Sequence, residues 1–214
     1  MKTDRKKINI DFPFDYKLIK RNGSKLVILL HGFAQSAQEI STELLESIPE
    51  GFDVLIPNGP FPIPKITPEK VIERYAWYFY NRHSNSYKID YNFSASLISK
   101  LIDELDYKDT EKLIIGYSQG GYLSPFLAQE LTNVSLVLGL CCTIKWQFLP
   151  EKLNFPLIQI HGKEDLMVDY KNSFEHYSII KQRLPNSSYI VVEDEGHRLK
   201  DPFKREIEKI LLNQ

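Results

Sequence analysis

Cysteine is almost missing from this chain of 214 residues, and the two present, Cys141 and Cys142, are sequence neighbours. Adjacent cysteines build no disulfide framework, so a packed core must hold the fold, and this usage suits a reducing compartment. Long apolar runs are missing too: none approaches the roughly 18 residues of a membrane span. Near the N-terminus Asn9, Asp11, Pro13, Asp15 and Lys17 interrupt every stretch that might form the apolar part of a secretion signal. A cytoplasmic protein without a membrane span is expected. Nor does one sign of charge dominate, because 27 Lys and Arg face 28 Asp and Glu. The basic cluster Arg5-Lys6-Lys7 reads as a solvated terminus, and no nucleic-acid partner is expected. No metal-ligand spacing, phosphate-binding glycine loop or dinucleotide fingerprint follows a strand, so the expected chemistry uses neither metal nor cofactor.

What the chain does have is 43% hydrophobic and 26% charged residues, which fits a single domain over residues 1–214. Strand-length apolar runs alternate with helix-like segments, a pattern that predicts an α/β fold with a mostly parallel sheet and helices on both faces. The expected order is strand Leu26 to Leu30, helix Gln38 to Ser47, strand Asp53 to Ile56, helix Asn92 to Leu105, strand Leu113 to Gly116 and helix Gln119 to Leu131. Strands Leu136 to Leu140 and Leu157 to Ile160 follow, then helix Ser173 to Leu184, strand Tyr189 to Val192 and helix Phe203 to Leu212. Asn9 to Arg21 alternates weakly and ends at Asn22-Gly23, a favoured hairpin turn, which predicts an antiparallel N-terminal edge strand paired with Leu26 to Leu30.

Residues 57–90 fit no regular element. Four prolines fall between Pro57 and Pro64, and the aromatic cluster Tyr75, Trp77, Tyr78, Phe79 and Tyr80 comes later. Loops this long in compact domains are usually functional.

The most informative stretch is Gly116-Tyr117-Ser118-Gln119-Gly120, set between an apolar strand and a helix-like segment. A turn that tight strains the serine backbone and needs glycines beside it, and it presents Ser118 at the C-terminal edge of the sheet. A serine hydroxyl is a weak nucleophile until an imidazole accepts its proton, and the imidazole needs a carboxylate to fix its tautomer. Five histidines are available. His31 and His161 each end a strand before a glycine and read as loop-shaping; His83 in a polar loop and His176 in a helix read as solvated. His197, in Glu195-Gly196-His197, is the one with all strands behind it and is the expected base.

The acid belongs after a strand between Ser118 and His197. Asp165 is favoured, since Gly162 lets its loop turn back, while Glu164 and Asp169 compete and Glu193, Asp194 and Glu195 flank the histidine. Two backbone N–H groups must meet the developing oxyanion. Gln119 is one expected donor and Phe33, in His31-Gly32-Phe33, the other.

Leu30-His31-Gly32, Gly116-Tyr117-Ser118-Gln119-Gly120-Gly121, His161-Gly162 with Asp165 and Val168, and Gly196-His197 fall in an order and spacing that resembles the phospholipase/carboxylesterase branch of the α/β hydrolases, acyl-protein thioesterases included. Pro57-Asn58-Gly59-Pro60 and Ala76-Trp77-Tyr78 are similar to its substrate-loop segments. The resemblance implies an α/β-hydrolase fold, a triad of Ser118, Asp165 and His197, oxyanion donors Phe33 and Gln119, and a small-molecule substrate. The chain departs from the family's pattern in three places: Ala34 and Gln35 replace a frequent Gly and acid, Cys141-Cys142 replace a frequent Ser-Gly, and Asp169 replaces a frequent Pro. The implied activity is hydrolysis of carboxylic esters with short to medium acyl groups, or of thioesters. Phe61, Trp77 and Tyr78 are expected as a substrate wall that Cys142 helps to shape. The alternatives are a dienelactone-hydrolase-like enzyme, which typically has Cys at the elbow, and a catalytically silent binding protein of the same fold.

Overall fold

Lys25–Leu30 and Glu111–Tyr117 are buried almost throughout, and strands covered on both faces pair in parallel beneath helices. In the computed structural model, which describes residues 11–81 and 83–214, these two strands lie side by side within a seven-stranded sheet. Its strands are β1 (Tyr16–Ile19), β2 (Lys25–Leu30), β3 (Phe52–Pro57), β4 (Glu111–Tyr117), β5 (Val134–Leu140), β6 (Leu157–Gly162) and β7 (Ser188–Val192). The spatial order is β1-β3-β2-β4-β5-β6-β7, antiparallel only where β1 meets β3. The helices are α1 (Ala37–Leu44), α2 (Tyr91–Glu104), α3 (Gln119–Glu130), α4 (Tyr170–Arg183) and α5 (Asp201–Leu211).

Alternate residues of each strand feed two cores. Val27 and Leu29 pack with Ile40 and Leu44 of α1 and with Phe203 and Ile207 of α5. Leu26, Ile28 and Leu30 pack on the other face with Ile98 of α2, Leu123 and Leu127 of α3, and Ile180 of α4. Each fully buried side chain of this kind contributes about 1.5–3 kcal/mol before its ordering entropy is counted.

The antiparallel edge strand exists, but its partner differs from the expected one. β1 pairs with β3, not with Leu26–Leu30, because β2 already has parallel neighbours on both sides. Asn22 does take the left-handed conformation, φ 57°, that the Asn-Gly pair favours. The turn is captured by Asp53 of β3, whose Oδ1 accepts from Arg21 N at 2.7 Å and Gly23 N at 3.1 Å. The start of the weakly alternating stretch, at Asn9, and the cluster Arg5-Lys6-Lys7 lie outside the described residues.

Residues 57–90 fold as short antiparallel ladders, pairing Phe61–Pro62 with Tyr75–Ala76, Lys65–Ile66 with Val71–Ile72, and Phe79–Asn81 with Ser86–Ile89. Tyr75 also bridges to Gln35 in the loop after β2, with N···O distances of 2.9 and 3.0 Å across the Ala34–Gln35 segment. The excursion therefore returns to the C-terminal edge of the sheet.

Candidate active site

β4 runs into α3 through a single residue. Ser118 sits at φ 48°, ψ −113°, a conformation costly for any residue with a Cβ. It is held there by its own N–H, which donates to Leu140 O at 2.9 Å, and by the close packing of β4 on α3. A Cβ on Gly116 would collide with Ser124 Oγ and the Gly120 carbonyl, and one on Gly120 would lie 2.5 Å from the Leu30 carbonyl. Both glycines are thus required by close approach.

Ser118 Oγ lies 3.1 Å from Nε2 of His197, and Nδ1 of His197 lies 2.7 Å from Oδ2 of Asp165. His197 is held from behind by Tyr117, whose hydroxyl donates to the His197 carbonyl at 3.0 Å. The Asp165 carboxylate is buried, a position that by itself would raise its pKa. Hydrogen bonds from His161, His197 and the Val168 N–H outweigh that cost and hold it well below the usual carboxylate range. Its Oδ1 accepts from Met167 N at 2.8 Å and Val168 N at 2.9 Å; His161 Nε2 stands 3.3 Å from its Oδ2.

The competing carboxylates are engaged elsewhere. Asp169 caps α4 by accepting from Asn172 N at 2.7 Å, Glu193 pairs with Lys163 at 2.7 Å, and Glu195 pairs with Lys200 at 2.8 Å. Glu164 is exposed. Cys141, Asp165 and His197 bring ligand-type atoms within 4.8 Å of one another. Burial pushes the Cys141 thiol far up, so it stays protonated, and the Asp165 and His197 atoms are already bonded to each other. The donor set does not suit a metal ion.

The loop after β2 is built around His31, which is buried and whose pKa is pushed down to about 4 by that burial. The imidazole is therefore neutral: its Nδ1–H donates to Gly32 O at 2.7 Å and its Nε2 accepts from Gly59 N at 2.9 Å. Gln35 N–H also meets the Gly32 carbonyl, at 3.3 Å. In a trans peptide the carbonyl and the following N–H point to opposite sides, so pinning Gly32 O inward turns the Phe33 N–H outward, and Phe33 lines the cleft above Ser118. Ala34, where the family often has glycine, takes φ 58°, a left-handed conformation that a Cβ disfavours by about 1 kcal/mol. The Gln119 side chain ties the 57–90 excursion to the elbow, its Oε1 accepting from Trp77 N and its Nε2 donating to Tyr78 O, both at 2.9 Å.

A cleft of about 730 Å³ opens over Ser118, Gln119 and His197, with Phe33, Tyr78, Tyr87, Tyr122 and Lys145 among its lining residues. Of the expected wall, Tyr78 is present. Trp77, Phe61 and Cys142 are not. Trp77 is fully buried and donates its indole N–H to His31 O at 2.8 Å. Phe61 packs against Phe79 and Phe93, ring centroids 5.7 and 5.6 Å apart. Cys142 lies beneath α3, where a Cβ on Gly121 would come within 2.7 Å of its sulfur. His176 also differs from its reading as solvated: it is half-buried, with Nδ1 3.2 Å from Ile144 O. Sequence reasoning missed Tyr122, although its place four residues after Ser118, one helical turn on, was signal enough. Nothing local marks Tyr87, Thr143 or Lys145 as cleft residues.

The model of the phospholipase/carboxylesterase family matches residues 19–212. Among solved structures, acyl-protein thioesterase 2 of Zea mays is similar with a TM-score of 0.74 at 19% identity, covering 93% of this chain and 98% of that one. Esterase PE8 gives a TM-score of 0.72 at 15% identity over 95% and 99% of the two chains. A carboxylesterase from Mesorhizobium loti gives 0.72 at 15% identity over 97% and 99%. No curated protein sequence matches the chain. Among the described residues no helix is long and apolar enough to cross a membrane. The family match spans nearly the whole chain on an α/β-hydrolase sheet, and the chain belongs to the phospholipase/carboxylesterase family of hydrolases.

Proposed function

We propose that this protein hydrolyses carboxylic esters of short to medium acyl chain, or thioesters, through an acyl-enzyme on Ser118. The observation that carries the reading is the unbroken relay from Ser118 Oγ through His197 to the buried Asp165 carboxylate. Ser118 Oγ attacks the scissile carbonyl carbon while its proton passes to His197 Nε2. Negative charge gathers on the carbonyl oxygen, facing the Phe33 and Gln119 N–H groups; such a donor is worth about 3–4 kcal/mol in the transition state. His197 then gives the proton to the departing alcohol or thiol. Water attacks the acyl-enzyme by the reverse proton path, releasing the acid and restoring Ser118. Asp165 stays ionised throughout and stabilises the imidazolium.

The test is covalent labelling with a fluorophosphonate, compared between the wild-type protein and Ser118→Ala. The expected result is one label per wild-type chain, mapped to Ser118, and none on the variant. Labelling of both proteins would move the nucleophile elsewhere, and labelling of neither would return the fold to a catalytically silent binding role.

A further inference from the structure

Gly32 has the widest backbone freedom in the loop after β2, so the Phe33 amide that follows it turns unless neighbouring groups hold it. A side chain at position 32 would not fit, because its Cβ would come within 3.0 Å of Gln35 Oε1 and 3.1 Å of the Tyr117 ring. Gln35 uses the space that glycine leaves. Its Oε1 accepts from Gly32 N at 2.8 Å, and its backbone N–H donates to Gly32 O at 3.3 Å. Together with His31 Nδ1, which meets the same carbonyl, these bonds hold the peptides on both sides of Gly32.

The Gln35 amide is aimed in turn by α1. Its Nε2 donates to Glu43 Oε1 at 3.2 Å, and Glu43 is half-buried. Burial pushes the Glu43 carboxyl up, the Gln35 bond draws it back, and Glu39 and Lys204 act on it with opposite signs. Only one orientation of the amide gives the Gly32 N–H an oxygen and Glu43 a donor, so both ends of the side chain are specified. A carboxylate at position 35 could serve Gly32 but would face Glu43 as a like charge, and leucine could serve neither.

We propose that Gln35 is a positioning residue for ester cleavage, fixing the Phe33 N–H through Gly32, and that Glu43 holds Gln35 in place. This rests on the Ser118 reading for its kinetic effect but not for the clamp itself. Gln35 stands outside the residues that line the cleft, so its loss weakens transition-state stabilisation and leaves substrate binding intact.

Steady-state kinetics and hydrogen exchange at the Gly32 amide test it in wild type, Gln35→Leu, Gln35→Glu and the exchanged pair Gln35→Glu/Glu43→Gln. In both single variants kcat is expected to fall about tenfold with KM within about twofold, a fraction of what a whole oxyanion donor contributes. Exchange at Gly32 should quicken about tenfold in both, the loss of one hydrogen bond. In the exchanged pair the carboxylate at 35 accepts from Gly32 and the amide at 43 donates to it. There kcat and Gly32 protection should return to within about threefold of wild type, the signature of a coupled pair. Losses that simply add in the exchanged pair overturn the proposal, as does a fall in kcat/KM carried by KM. Unchanged kcat and Gly32 protection in Gln35→Leu overturn it too; should that variant fail to fold, Gln35→Glu and the exchanged pair decide. Hydrogen exchange needs no turnover. A wild-type protein that cleaves no ester, while Gly32 protection is lost in Gln35→Glu and restored in the exchanged pair, would count against the hydrolytic reading of Ser118 and leave the clamp standing.

Discussion

Trp77 donates its indole N–H to the carbonyl oxygen of His31 at 2.8 Å, and the two rings stack with centroids 4.6 Å apart. The contact reassigns an aromatic residue that sequence suggests for the substrate. Trp77 N–H reaches Gln119 Oε1, Trp77 O accepts from Ser94, and His31 fixes the Gly32–Phe33 peptide. One buried tryptophan therefore joins the loop after β2 to the elbow, the two segments that carry the proposed oxyanion donors Phe33 and Gln119.

Trp77→Phe is expected to leave the His31 carbonyl unpaired in a dry site, costing about 2 kcal/mol of stability. It should also lower kcat by about tenfold through loosened amides, with little change in KM. Urea denaturation and steady-state kinetics check both. A variant with normal stability and kcat but a changed dependence on acyl length would put Trp77 back in the substrate wall.

Much of this was legible in the sequence, for physical reasons. Strands buried on both faces announce themselves as apolar runs, so Leu26 to Leu30 and Leu113 to Gly116 could be read directly. The elbow was legible because only glycine fits at positions 116 and 120. Edge pairing was not, because Asn22-Gly23 specifies a turn and says nothing of Asp53, thirty residues on, which captures that turn. Trp77 and Cys142 misled for a related reason: their types suit a pocket wall and a core equally, and only long-range packing decides. The cleft residues Thr143 and Lys145 follow β5 with no local pattern and become visible only once α3 and α4 are in place.

Stability should depend on pH through His31. An unfolded imidazole titrates near 6.5, whereas burial pushes His31 down to about 4, partly offset by its bond to the Gly32 carbonyl. Between those values the unfolded chain binds more protons than the folded one, so stability rises with pH across that window and is lost as pH falls through it. The loss is on the order of 3 kcal/mol, with His176, also lowered, adding in the same direction. Asp165, whose folded pKa is depressed, contributes above its unfolded value and is lost only in stronger acid. Urea midpoints between pH 4 and 6.5 should fall steeply with acid in the wild type and less steeply in His31→Gln; parallel slopes would remove His31 as the cause.

His161 and the acid can be ranked. Asp165→Asn is expected to lower kcat by about four orders of magnitude, because the imidazole loses the partner that fixes its tautomer. His161→Leu removes the one Nε2–H that stands 3.3 Å from that carboxylate and 2.9 Å from the Val168 carbonyl, while leaving the Met167 and Val168 amides in place. Its cost should be about tenfold in kcat. Glu164→Gln and Asp169→Asn should cost less still. Steady-state kinetics on all four variants give the order, and a Glu164→Gln effect as large as that of Asp165→Asn would displace Asp165 as the acid.

Acyl length should matter only over a short range. Tyr78, Tyr80 and Tyr87 line the cleft together with Phe33, Phe79, Met167 and Val168, and the three tyrosine rings lie 5.0 to 5.7 Å from one another along the chain of contacts, with Phe148 beyond Tyr87 at 5.7 Å. Thr143, Lys145 and Asp169 are polar parts of the same lining, where a methylene exchanges water for water and gains nothing. Each carbon laid on the tyrosines is worth up to about 0.8 kcal/mol, so kcat/KM should climb at most about fourfold per carbon from acetyl toward hexanoyl esters and then level off. Tyr87→Ala should flatten the climb while acetyl turnover changes little, since acetate is too short to reach Tyr87. p-Nitrophenyl esters from acetate to palmitate, kept below their critical micelle concentrations, measure the profile on both proteins. A maximum at dodecanoyl or longer would mean that the chain finds an apolar path past Lys145, and the enzyme would then be one for long acyl chains.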